Sequence, residues 1–147
     1  MIARKYQLTD KLKHGIAQNR YERWLQRKAA AHVKRDRKRG NSSATIEEYK
    51  VAIHRAVVAS EGCDHYTGEE LDWSLVSTYD NDKSKADKRH YKAQFALLPT
   101  VDHVGDGLGA ADFVICAWRT NDAKNDLCGA EFLALCRRVV EFADRSK

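Results

Sequence analysis

The chain has 147 residues, of which 43% are hydrophobic and 32% charged, with one proline and eight glycines. That length suits a single domain with its own core, and the composition excludes collagen-like and low-complexity chains. The longest apolar runs, such as residues 95–98, fall far short of the ~18 residues that a bilayer span needs. Residues 1–5 are charged with no apolar stretch behind them, so no secretory leader is expected and a cytoplasmic location is. Cys63, Cys116, Cys128 and Cys136 contain no C-x-x-C pair, which suits reduced thiols and speaks against a zinc knuckle. The net charge of +5 is unevenly spread: residues 1–40 hold thirteen Lys/Arg against three Asp/Glu, whereas the rest is acidic. A basic block on an acidic body points to a polyanion, because neutralised phosphates release their condensed counterions.

In chain order, Tyr21, Trp24, Leu25, Lys28, Ala29, His32 and Val33 recur at three- and four-residue steps. They predict an amphipathic helix from Asp10 or Ala17 to Arg39, with Gly40 as its C-terminal cap. Arg20, Arg23, Arg27, Lys34, Arg35, Lys38 and Arg39 occupy its other faces and are the candidate nucleic-acid contacts. Thr45 and Glu48 form a capping box, and Ile46, Tyr49, Ile53, Ala56 and Val57 make a second helix ending near Gly62. Residues 1–62 are thus expected as a basic helical region packed on residues 63–147. Tyr66-Thr67-Gly68 reads as a turn, residues 71–75 as a strand or a short helix, and residues 80–85 as an exposed loop. Residues 99–104 have strand character, residues 105–109 are a glycine-rich loop, and residues 112–118 are a second, mostly buried strand. Thr120 is expected to cap a short helix over residues 121–127. Phe132, Leu133, Leu135, Cys136, Val139, Val140 and Phe142 then predict a last helix covering a core face. Cys116, Cys128 and Cys136 are expected as small core hydrophobes, and Trp24, Trp73 and Trp118 as core.

Chemistry concentrates between Val101 and Leu127. Attack of water on a phosphodiester needs a base and a cation to carry developing charge. His103 suits the first near pH 7. The oxygens of Asp102 and Asn121 suit a hard cation such as Mg²⁺, which takes few protein ligands. Strand alternation points Asp102 and His103 to opposite faces, so a shared site requires a bend, which the following glycines permit.

Three stretches, Val101-Asp102-His103-Val104, Asp112-Phe113-Val114-Ile115-Cys116 and Asn121-Asp122-Ala123-Lys124-Asn125-Asp126-Leu127, resemble the HNH nucleases, the ββα-metal finger of many DNA endonucleases. Their order and the nine-residue step from 112 to 121 agree with that family, over about 27 residues. The resemblance implies an α+β fold, mainly helical, in which two N-terminal helices and a C-terminal helix surround a small ββα finger. It also implies that His103 is the general base, that Asp102 and Asn121 hold Mg²⁺ or Mn²⁺, and that Lys124 approaches the substrate phosphate or supports the site. Asp112 stands where the family has an Asn bracing the loop of the base; a carboxylate accepts the same backbone hydrogen bonds but donates none. The family's proline after the His is replaced by Gly105-Asp106-Gly107. Tyr66 falls where zinc-bound relatives carry a second Cys, so structural zinc is not expected.

The function expected is a divalent-metal-dependent endonuclease acting on double-stranded DNA. The alternative is a non-catalytic nucleic-acid-binding protein on the same scaffold. In a third reading, residues 1–40 grip an acidic protein. Because one nuclease centre cuts one strand at a time, double-strand cleavage would favour a homodimer.

Overall fold

The computed structural model describes residues 3–147; Met1 and Ile2, which open the segment read for a leader, lie outside the described residues. Helix α1 (Asp10–Lys13) is a single turn that stops before Gly15, and the chain restarts as α2 (Gln18–Lys38). The stripe read in the sequence is the buried face of α2, continued one turn further by Asp36. Gly40 turns the chain out of the helix at φ +110°, a conformation glycine adopts without strain. Helix α3 (Ile46–Ser60) begins where Thr45 Oγ1 accepts the Glu48 N–H at 3.2 Å. It packs against α2, and Tyr21, Leu25, Tyr49, Ile53 and Val57 are all sealed from solvent.

The sheet has two antiparallel strands, β1 (Pro99–His103) and β2 (Phe113–Ala117), with Asp102 opposite Val114 and His103 opposite Phe113. Helix α3 lies against β2, so Val101, Phe113 and Ile115 share one core with the two long helices. The fold is α+β and mostly helical. Residues 64–68 form a turn tied to the end of β2 by Asp64. One carboxylate oxygen accepts the N–H groups of Tyr66 and Thr67 at 2.7 and 3.0 Å, and the other accepts that of Ala117 at 2.7 Å. Burial alone would raise the Asp64 pKa, but these donors and Thr120 outweigh it and leave the pKa lowered.

Of the two forms open for residues 71–75, the short helix is the one present, a 3₁₀ turn, α4, at Trp73–Leu75. Several other expectations require correction. The expected loop at 80–85 is the start of helix α5 (Asn81–Ala93), capped by Asp80 Oδ1, which accepts the N–H groups of Asp82 and Lys83. Its polarity hid it, because only Tyr91 is buried. The next helix, α6 (Trp118–Lys124), starts three residues before Asn121, so Thr120 lies inside it and does not cap it. Its early start is supported by the carbonyls of Leu98 and Ala96, which accept the Trp118 and Arg119 N–H groups at 2.8 and 3.1 Å. The last helix, α7 (Gly129–Arg145), buries none of its side chains, and Cys128 and Cys136 are exposed; Cys116 alone of those three thiols is core. Trp24 and Trp73 are core as expected, while Trp118 is half-buried against Tyr79. Among the described residues no helix is long and apolar enough to cross a membrane.

Candidate active site

The end of β1 delivers two adjacent side chains into one cleft of about 470 Å³, bordered also by the C-terminal turn of α2, the end of α6 and the start of α7. Val104 N–H donates to the Asp112 carbonyl at 2.9 Å, so the ladder continues one step past the strand. Gly105 and Gly107, at φ +91° and +82°, then turn the chain away. Because the cleft wraps the strand end, the face carrying His103 meets α2, and the face carrying Asp102 meets α6 and Tyr66.

His103 is stacked on Phe113 with ring centroids 4.9 Å apart. Its Nδ1 lies 3.0 Å from Arg35 Nη2 and 3.6 Å from Asp36 Oδ2. The same guanidinium nitrogen lies 2.8 Å from His32 Nδ1. Asp36 is fully buried, and its Oδ2 accepts the Tyr49 hydroxyl at 2.6 Å. Burial and this carboxylate raise the Tyr49 pKa to about 12, so the phenol keeps its proton and donates. The glycine loop presses on Asp36: a Cβ on Gly107 would stand 2.7 Å from Asp36 Oδ1, and Asn41 Nδ2 anchors the Gly107 carbonyl at 2.9 Å. Burial lowers the His103 pKa; Asp36 opposes this, while Arg35 and Arg39 add to it. His32, buried beside Arg35, is lowered to about 3. Both imidazoles are therefore neutral at pH 7.

Asp102 is bound on the other side. Tyr66 donates its hydroxyl to Oδ2 at 2.6 Å, and Lys124 Nζ lies 3.2 Å from Oδ2 and 3.4 Å from Oδ1. Both side chains of this ion pair are almost wholly buried. Burial, and after it Asp102, push the Tyr66 pKa up.

The residues singled out in the sequence divide. Asp102, His103 and Lys124 come together with Arg35 and Arg39. Asp112 is exposed and contributes its backbone carbonyl, and its side chain makes no hydrogen bond among the described residues. A second carboxylate, Asp36, stands 3.6 Å from His103 Nδ1. Asn121 is half-buried on α6 and does not border the cleft. Of the remaining basic candidates, Arg27 bonds Ser77 Oγ at 2.6 Å, Arg20 is half-buried, and Arg23, Lys34 and Lys38 are exposed outside the cleft.

The Mg²⁺ or Mn²⁺ implied by the resemblance does not fit this donor set as arranged. Both oxygens of Asp102 are held by an ammonium, displacing it would strand a buried charge, and Asn121 stands apart. Among the described residues no group of three His, Cys, Asp or Glu side chains could hold a metal.

Asp36, Tyr49 and Gly107 were not singled out as site residues in the sequence. Asp36 had a signal: it falls in phase with the buried positions 29, 32 and 33, as the one acidic residue on that stripe. Tyr49 looked like any core aromatic.

Compared with family models, curated proteins and solved structures, the chain gives no match.

Proposed function

We propose that the chain is an HNH-type endonuclease that hydrolyses DNA phosphodiesters with His103 as general base. One observation carries this reading: a neutral histidine, backed by a buried carboxylate, borders a cleft rimmed by guanidinium groups from the basic helix. The tautomer defines the working cycle. Arg35 can only donate, so its bond to Nδ1 leaves the imidazole proton on Nε2, the form that cannot take a proton there. A scissile phosphate entering between Arg35 and Arg39 draws the half-exposed Arg35 away from the ring. Nδ1 then carries the proton and turns it to Asp36, and Nε2 is free. Water attacks phosphorus and gives its proton to Nε2. The P–O3′ bond breaks, and the 3′-oxygen leaves in the field of Lys124 and takes a proton from solvent. A divalent cation would supply Lewis-acid assistance in an enzyme of this type, but no step here is routed through it.

The second reading, a DNA-binding protein without chemistry, is favoured by the contact that must open, Arg35 on His103, and by the pairing of Lys124 with Asp102, which offsets its charge. Incubation of the protein with supercoiled plasmid in Mg²⁺, Mn²⁺ or EDTA, beside His103→Ala, decides between them. Nicking that His103→Ala abolishes supports the enzyme, and the three conditions report whether a metal takes part. Salt-sensitive binding without nicking in any condition selects the binder. Nicking that persists in His103→Ala overturns the residue assignment.

A further inference from the structure

Helix α7 is seventeen residues long and amphipathic, yet none of its residues is buried. Leu133, Val139, Val140 and Phe142 are between 51% and 71% exposed, and Leu135 is 45% exposed. A helix of this length is marginal alone in water and gains its stability from a packed apolar face. Its positions define two adjacent stripes at alternating four- and three-residue steps: Phe132, Leu135, Val139 and Phe142, beside Leu133, Cys136, Val140 and Ala143. That is the repeat by which two helices interlock.

The charges on α7 say what covers this face. Arg137, Arg138 and Arg145 are matched by Glu131, Glu141 and Asp144, so the helix has no net charge. A surface meant for nucleic acid or anionic lipid needs an excess of Lys and Arg on the polar side, and here there is none. A second α7 running antiparallel answers the pattern. Phe132 of one copy meets Phe142 of the other, Leu135 meets Val139, and Glu131 at one end falls beside Arg145. The exposed apolar side chains amount to on the order of 500 Å² per copy, so full pairing removes up to about 1,000 Å², the lower limit of a biological interface. We infer that α7 is a self-association surface and that the chain forms a two-fold dimer through it. The helix begins at Gly129, which borders the cleft, and Phe132 packs edge-on to Tyr66. The pairing therefore fixes the two clefts in one symmetric body, independently of what either cleft catalyses.

The test is sedimentation equilibrium of the full chain beside the double variant Val139→Glu/Phe142→Glu. These side chains are exposed, so the folded monomer should survive, which circular dichroism checks. The expected result is a particle of twice 16.7 kDa that becomes 16.7 kDa in the variant. Cys136 sits centrally on the face, whereas Cys128 lies at its end, so copper–phenanthroline oxidation should link two copies through Cys136. The link should survive Cys128→Ser and vanish in Cys136→Ser. A wild-type monomer at 100 µM overturns the inference, as does a dimer that persists in the folded variant. Capture of the monomer by vesicles of phosphatidylcholine with phosphatidylglycerol also overturns it, in favour of a lipid surface.

Discussion

Asp36 and His103 come from segments 67 positions apart and meet at 3.6 Å, the contact on which the proposed function rests. Asp36→Asn keeps the volume and an acceptor for Tyr49, but removes the charge that favours a proton on His103 Nδ1. If His103 is the base, plasmid nicking should fall on the order of 100-fold in Asp36→Asn while DNA affinity stays within a factor of two. Nitrogen-15 chemical shifts of His103 should report a smaller Nδ1–H fraction in the DNA complex, a change that simple loosening of the fold would not give. Equal loss of binding and nicking would instead make Asp36 a purely structural residue. On the other face, Asp102→Asn leaves Lys124 buried without its counter-charge. It should cost about 3 kcal/mol, near 10 °C in Tm for a domain of this size. Asp102→Leu combined with Lys124→Met should recover most of that, because apolar replacement of a buried pair is close to neutral. Thermal unfolding of the three proteins checks both expectations.

Among the elements, the glycine loop couples strand to helix, and two of its glycines separate the causes. Gly105 and Gly107 share a positive φ, but a Cβ on Gly105 meets open space, whereas one on Gly107 meets Asp36. Gly105→Ala should therefore cost only backbone strain, about 1–2 kcal/mol. Gly107→Ala should cost more in Tm and also displace Asp36, lowering any nicking with it; equal Tm losses would remove the contact with Asp36 from the account. The elements that were legible in the sequence are those with an apolar period or a cap. The stripe from Tyr21 to Val33, the Thr45 capping box, and β1 with β2 all lie where the pattern places them. Helix α5 was hidden because its thirteen residues bury only Tyr91, and a helix without an apolar stripe looks like a loop. Helix α7 failed in the opposite way, for its period is strong but period says only that a face needs a partner, not that the partner is the same chain. The site was half legible for a related reason. Asp102, His103 and Lys124 sit on one short stretch of chain, while Asp36 reaches them by tertiary packing that no local spacing encodes.

At the scale of the molecule, the burial of His32 beside Arg35 gives stability a definite pH dependence. His32 packs edge-on to Phe113 beneath Arg35, with Lys28 on the same side and Asp36 as the nearest opposing charge. Its pKa is about 3 in the folded protein against 6.5 in the unfolded chain. Above pH 6.5 both states hold it neutral and it contributes no pH dependence. Between 6.5 and 3 the unfolded chain binds a proton that the folded protein refuses, so stability falls steadily as the solution is acidified. His54 and His103, both lowered by burial, act with the same sign. The exposed carboxylates Glu47, Glu69 and Glu131, lowered from 4.5, and Asp64, lowered from 3.8, add the same sign only at the acid end of this window. From His32 alone the loss by pH 4.5 should reach about 2–3 kcal/mol, or roughly 6–10 °C in Tm. His32→Phe keeps a ring against Phe113 and has nothing to protonate, so its Tm should change less between pH 7 and 4.5 than that of the parent by about that amount. Parallel curves for the two proteins would mean that His32 is reached by solvent and protons in the folded state. The Arg35 bridge between His32 and His103 would then have to be open before any phosphate arrives.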